Sequence, residues 1–238
     1  MAEKITGEFV PVGTSRTYLA RPEVDEGGGM LLLPMLTGIG EQVREFAADL
    51  AAAGVTALSW DPWDGPSADN TGHEELVRLM GRLDDETALA EQQRLLSHMF
   101  NELGLRRVGV IGWCLGGRFA LLLGGRDKRL ANVIAYHPTV PIPAAPNHAL
   151  DAAEHAARID APVMMHYPGA DDLVPRESFD ALNAALTGRS HGASIVHTYP
   201  GAEHGFSARA RQTKPVNEEA YLHSWPQSLS FVRTTVLR

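Results

Sequence analysis

The chain's one cysteine, Cys114, lies in Gly112-Trp113-Cys114-Leu115-Gly116-Gly117, after the apolar run Arg107-Val108-Gly109-Val110-Ile111 and before Arg118-Phe119-Ala120-Leu121-Leu122-Leu123. Gly-x-Cys-x-Gly where a strand pattern gives way to a helix pattern predicts a nucleophile elbow with sulfur in place of oxygen. A β-carbon at either flanking glycine would obstruct the crowding of the two backbones around so sharp a turn. Cys114 is therefore expected to project clear of the sheet. At a helix N-terminus, free N–H groups and the positive end of the helix dipole favour a thiolate and can cradle an oxyanion. An isolated cysteine is more often a packing residue, but its place in this motif favours the nucleophile.

A nucleophilic thiol needs a base, and the base needs a group that holds its tautomer and stabilises its cation. Tyr167-Pro168-Gly169-Ala170-Asp171-Asp172-Leu173-Val174-Pro175 puts carboxylates just beyond one strand pattern, and Tyr199-Pro200-Gly201-Ala202-Glu203-His204-Gly205-Phe206 puts an imidazole just beyond the next. The chain order is nucleophile, acid, histidine, with each member on a loop after its own strand, which is the order of the α/β-hydrolase fold. His204 is one of ten histidines, and only it occupies a Gly-Phe-flanked loop after the last strand. Asp171 competes with Asp172, since either could instead cap a helix beginning near Pro175; Asp171 is the favoured of the two. His166 and His197 fall inside strand patterns, where packing roles are expected.

The elements that must position these residues alternate. Gly7–Val12 and Arg16–Ala20 read as two short strands joined by Gly13-Thr14-Ser15, an antiparallel edge. Met30–Leu36 reads as a buried strand, Glu41–Ala53 as a helix ending at Gly54, and Val55–Trp60 as the next strand, a βαβ unit. Asp61–His73 is a loop rich in Asp, Pro and Gly, and Glu86–Leu103 is a helix ahead of the elbow strand. Ala131–Tyr136, Pro162–Tyr167 and Ser194–Tyr199 complete the strands, with helical stretches between them. Such alternation predicts an α/β fold, a mostly parallel central sheet with helices on both faces and chemistry at the strand carboxyl ends. The Pro- and Ala-rich Pro138–Pro146 is a connection placed to overhang such a site.

The length of 238 residues suits one α/β domain, residues 1–238. A hydrophobic fraction of 44% and a charged fraction of 21% are ordinary for a globular protein. The apolar runs are too short to span a bilayer. Met1-Ala2-Glu3-Lys4-Ile5-Thr6 lacks the long apolar segment of a secretory signal, so the expected compartment is the cytoplasm. A formal net charge of −8 argues against a general nucleic-acid binder, and one cysteine excludes an internal disulfide framework.

Taken together, Gly112-Trp113-Cys114-Leu115-Gly116-Gly117, Gly169-Ala170-Asp171-Asp172-Leu173-Val174-Pro175 and His204-Gly205-Phe206 resemble the dienelactone hydrolase family, a cysteine-using branch of the α/β-hydrolases; the resemblance runs from Met30 to Phe206. It implies Asp171 rather than Asp172 as the acid, and cleavage of a small ester or lactone through an acyl-thioester, without metal or organic cofactor. It also implies an oxyanion hole from the backbone N–H groups of Leu115 and Leu36. One position departs from the family. Aligning Gly38, Arg44 and Gly54 puts Met35 where the family carries a glutamate that takes part in thiol activation. Met35 cannot accept a proton, so activation falls on His204 alone unless Glu41 reaches the site; core packing is an equal reading of Met35. The family binds a substrate carboxylate through arginines, for which Arg209, Arg78 and Arg82 are candidates, and Trp63 and Trp113 are candidates for an apolar wall. Met35, Trp113 and Arg209 form the expected substrate-binding set. The competing readings are a catalytically silent protein that binds a small molecule or partner, and a redox-sensing thiol.

Overall fold

The computed structural model describes residues 7–237, so the expectation drawn from Met1–Thr6 lies outside the described residues. The strands are β1 (Glu8–Val12), β2 (Ser15–Ala20), β3 (Gly28–Leu33), β4 (Thr56–Trp60), β5 (Arg107–Trp113), β6 (Val133–Tyr136), β7 (Val163–Pro168) and β8 (Ser194–Tyr199). They form one sheet in the order β1-β2-β4-β3-β5-β6-β7-β8. β1 and β2 pair antiparallel through a tight turn whose first residue, Gly13, has φ 62°, and β2 runs antiparallel to β4. Every pairing from β4 across to β8 is parallel. The antiparallel edge and the parallel body are as the sequence pattern predicts.

The helices are α1 (Glu41–Ala52), α2 (His73–Met80), α3 (Asp85–Asn101), α4 (Leu115–Arg126), α5 (Ala152–Ala157), α6 (Arg176–Thr187) and α7 (Pro215–Val236), with a short 3-10 turn at Arg209–Arg211. Strand periodicity sorts the core into two layers. Met30, Leu32, Ile111 and Trp113 face a cluster with Phe46 and Leu50 of α1 and Trp225 and Val232 of α7. Leu31, Leu33, Val108 and Val110 face the other, with residues of α2 to α6. Helices thus cover both faces of the parallel strands, which are buried almost throughout except at the edge strand β8.

Three elements differ from expectation. β3 stops at Leu33 rather than Leu36, because Pro34 has no N–H to continue the ladder. The end of the Asp61–His73 loop opens directly into α2, with the backbone of Gly72 as its cap. The elbow helix starts at Leu115, immediately after the nucleophile candidate.

One buried ion pair ties the site's surroundings together. Arg118 of α4 donates both arms of its guanidinium to Asp85 of α3 at 2.7 Å each, with both side chains 1% exposed. The Leu150 backbone closes the network, its N–H reaching Asp85 at 2.9 Å and its carbonyl accepting from Arg118 at 2.8 Å. Burial pushes the Asp85 carboxyl up, but Arg118 outweighs it and the net shift is downward. Removing one partner of such a pair leaves the other charge buried alone. Asp85→Ala is expected to cost about 3–5 kcal/mol in urea unfolding; a loss below about 1 kcal/mol would mean that water reaches Arg118 in the native state.

Candidate active site

Four strand ends meet at the site, those of β5, β6, β7 and β8. Cys114 follows β5 directly and holds φ 54°, ψ −113°, a conformation L-residues rarely adopt. The flanking glycines are obligatory on contact grounds. A β-carbon on Gly112 would sit 2.0 Å from the Gly116 carbonyl oxygen, and one on Gly116 would sit 1.9 Å from the Leu33 carbonyl oxygen. The same close approach lets the Gly116 N–H donate to Pro34 O at 3.2 Å, which docks the α4 N-terminus on the end of β3.

His204 lies in the loop after β8. Its Nδ1 is 2.8 Å from Asp171 Oδ2, with side-chain exposures of 8% and 2%. Asp171 Oδ1 is held in turn by the backbone N–H groups of Leu173 and Val174, both at 2.9 Å. Asp172 is exposed and outside this arrangement. The histidine loop is braced by α7: Asn217 accepts from the Glu203 N–H at 2.9 Å and returns a hydrogen bond to the Glu203 carboxylate at 3.2 Å. Phe206 packs against Tyr136, His137 and Tyr199. The sequence pattern assigned no element beyond the histidine loop, yet α7 is what holds that loop.

Cys114 is partly exposed. Its Sγ is 3.0 Å from Thr139 Oγ1, which is 3.4 Å from His204 Nε2. Burial pushes the thiol up, but hydrogen bonding and charge from His204, with help from Thr139 and the Leu115 N–H, leave it below the ordinary thiol value. Burial opposes the charged form of His204 as well. Asp171 and Cys114 reverse this and carry it up to about 9. The neighbouring His137, 5.1 Å from His204 between ring centroids, is driven well below the ordinary imidazole value by burial and by the His204 charge. Positive charge is thereby concentrated on His204.

The expected oxyanion-hole residues stand on two docked backbones. Leu115 is the first residue of α4. Leu36 follows Met35, whose carbonyl accepts from the Gly38 N–H at 3.0 Å in a turn that fixes this peptide plane. In a trans peptide the Leu36 N–H then points the opposite way, out of the turn. The Leu36 carbonyl accepts from Trp63 Nε1 at 2.9 Å, and the Thr37 carbonyl from the Ala68 N–H at 2.9 Å, so the Asp61–His73 loop braces this segment. Among the described residues, the Leu36 N–H donates to no backbone acceptor, and the Leu115 N–H turns to the Cys114 sulfur.

The substrate-binding expectations fare differently. Trp113 is wholly buried, stacked on Phe46 at 4.6 Å between ring centroids and on Tyr136 at 6.0 Å, so it is a core residue rather than a pocket wall. Strand alternation explains this: Trp113 points away from the elbow's open side, into the α1 and α7 layer. Arg209 is exposed and its guanidinium is engaged by Glu45, with Glu41 at 3.8 Å. Glu41 lies outward with it, so it does not supply the missing glutamate. Arg78 pairs with Glu75 on the exposed side of α2, and Arg82 is exposed beyond it. Met35 is buried in the cluster that holds Trp113 and Ile39, against which Cys114 also packs. Trp63 is a brace, as above. Thr139 and His137 were not singled out by sequence, although they follow β6 at the same end of the parallel sheet, and that position was the available signal.

A model of the dienelactone hydrolase family matches residues 15–236. The chain belongs to this family. It is 28% identical over 222 residues to the carboxymethylenebutenolidase of Rhodococcus opacus, covering 92% of this chain and 86% of that one. It is 24% identical over 242 residues to a Bradyrhizobium sp protein described as a probable 2-oxo-3-(5-oxofuran-2-ylidene)propanoate lactonase, covering 97% and 95% of the two chains. A solved Klebsiella pneumoniae structure, provisionally described as a dienelactone hydrolase, superposes with a TM-score of 0.85 at 22% identity over 97% of this chain and 99% of that one. The fold of this family member is the α/β-hydrolase fold.

The thiol and imidazole shifts share one interaction, thiolate with imidazolium. That ion pair exists above the depressed thiol pKa and is lost as pH rises through about 9, when His204 gives up its proton. Because His204's native pKa lies above its ordinary 6.5, its contribution to stability is complete below 6.5 and disappears through about 9. Removing the thiolate in Cys114→Ala should lower the His204 midpoint seen by NMR titration of its ring protons. An unchanged midpoint would show that Asp171 alone sets it.

Proposed function

We propose that this chain is a hydrolase of small esters or lactones that works by Cys-His-Asp nucleophilic catalysis. The observation that carries the reading is the ordered set at the strand ends: an elbow cysteine at a helix N-terminus, facing a histidine whose other nitrogen is held by a buried carboxylate at 2.8 Å.

In this mechanism the Cys114 thiolate attacks the carbonyl carbon, forming the C–S bond and moving the π electrons to oxygen. The N–H groups of Leu115 and Leu36 receive that oxyanion, each worth about 2.7–4 kcal/mol in the transition state. Collapse breaks the ester C–O bond, and His204 gives its proton to the leaving oxygen. His204 then takes a proton from water as the water attacks the thioester; the C–S bond breaks and thiolate and imidazolium are restored. Asp171 keeps the proton on Nδ1, so Nε2 faces the chemistry throughout.

The substrate that suits the site is small and uncharged. Arg209 and Arg78 are committed to carboxylates, while the loops that carry Asp171 and Thr139 present exposed Leu173 and Ile142. A silent binding protein is the lesser reading, because mere binding does not require a nucleophile in a strained turn with a coupled base.

The test is turnover of a panel of p-nitrophenyl esters and simple lactones. Cys114→Ala and His204→Ala should each lower kcat by at least about 10³-fold, and an acyl adduct on Cys114 should be seen by intact mass after rapid acid quench. Turnover surviving Cys114→Ala would sink the proposal. Arg209→Ala should leave kcat/KM for neutral esters within about twofold; a tenfold loss would restore it to the substrate site.

A further inference from the structure

Thr139 is held at the nucleophile by the backbone, before its side chain is considered. The Cys114 N–H donates to Tyr136 O at 3.0 Å, and the Thr139 N–H donates to Cys114 O at 3.1 Å. These two bonds staple the segment leaving β6 to both sides of the elbow residue. The Thr139 hydroxyl consequently comes within 3.0 Å of Cys114 Sγ and 3.4 Å of His204 Nε2. Met35 and Leu36, on the segment leaving β3, offer the sulfur no hydrogen-bonding side chain.

We propose that Thr139 is a further catalytic residue, its hydroxyl donating to the Cys114 sulfur and accepting from Nε2–H of His204, so that it bridges the thiolate and imidazolium before substrate arrives. The proposal rests on the hydrolase reading and deepens it. A hydroxyl has one proton to give and lone pairs to receive, which is the combination a bridge between an anion and a cation needs. No bond to Thr139 is made or broken in the reaction. The proton on Nε2 is the one the thiol released. Once the C–S bond forms, the sulfur is a poor acceptor and the bridge dissolves, so the Nε2 proton passes to the leaving oxygen as the C–O bond breaks and Nε2 then takes a proton from water.

Among the described residues, few ionisable groups face this bridge. His204 and Asp171 come from the loops after β8 and β7, and His137 comes from the end of β6. Arg118 of α4 is buried against Asp85. Glu41 and Glu45 of α1 are turned outward to Arg209.

Valine reproduces the branched shape of threonine without the hydroxyl, so Thr139→Val isolates the hydrogen bonds. The measurement is the rate of iodoacetamide alkylation of Cys114 against pH, alongside p-nitrophenyl acetate hydrolysis. Thr139→Val should raise the alkylation midpoint by about one pH unit and lower kcat about tenfold with little change in KM. Thr139→Ser, which keeps the hydroxyl, should bring the midpoint back toward wild type, and Thr139→Ala should behave as valine does if valine fails to fold. Superimposable alkylation profiles for wild type and the variants lacking the hydroxyl would overturn the assignment, whatever the ester assay gives. A shifted midpoint in a protein that hydrolyses no ester would uphold the bridge and remove the hydrolase reading instead.

Discussion

The elbow is a steric constraint first and a chemical device second. Cys114 sits at φ 54° only because β5 and α4 approach so closely that Gly112 and Gly116 have no room for a β-carbon. A non-glycine residue in that region stores about 1–3 kcal/mol, which the surrounding packing must outweigh. The consequence is a thiol aimed away from the sheet, a helix N-terminus directly behind it, and the β3 loop docked beside that helix through Gly116 and Pro34. His204 and Asp171 come from the loops after other strands and need only reach this fixed point.

Charge at the site is confined as tightly as geometry. His137 and His166 are buried and held well below the ordinary imidazole range. They enter neutral hydrogen bonds, His137 with Ser207 at 2.7 Å and His166 with Tyr199 and Ser228 at 3.1 and 2.9 Å. Of these three histidines, only His204 has a carboxylate against one nitrogen and the Cys114 sulfur on its other side, so the cation of the cluster forms there. An isolated buried cation would be expelled by desolvation; this one persists because two acceptors of opposite charge flank it.

Much of this was legible in the sequence, for identifiable reasons. Parallel strands buried on both faces produce apolar runs, and β5 to β7 announce themselves in this way, while the half-buried edge strand β8 shows instead as a β-branched and aromatic stretch. The elbow is legible because its glycines are required by contact. His204 and Asp171 stand out because each follows a strand at the reactive end. Arg209 misled because a guanidinium near the histidine loop has two fates, and the acidic side chains of α1 that claim it are about 165 positions away in sequence, visible only once the fold brings them together. Trp113 misled because the last residue of β5 turns into the α1 and α7 layer, where Phe46 and Tyr136 stack on it, and sequence adjacency to Cys114 does not show that. α7 carries Pro226 within it and weak amphipathic patterning, so neither its start nor its role in bracing Glu203 is written locally. Thr139 follows β6 at the same end of the sheet, but nothing local separates it from its neighbours until its 3.0 Å distance to sulfur is known.

The Cys114 thiol ionises below the ordinary thiol range because His204 carries the compensating charge. With one cysteine in the chain, ultraviolet difference absorption of the thiolate reports that residue alone. Titrated from acid to base, the wild-type protein should show the thiolate band rising below the ordinary thiol range, and the His204→Ala variant should show it only in the alkaline range of an ordinary thiol. A wild-type band that rises only in that alkaline range would contradict the central claim.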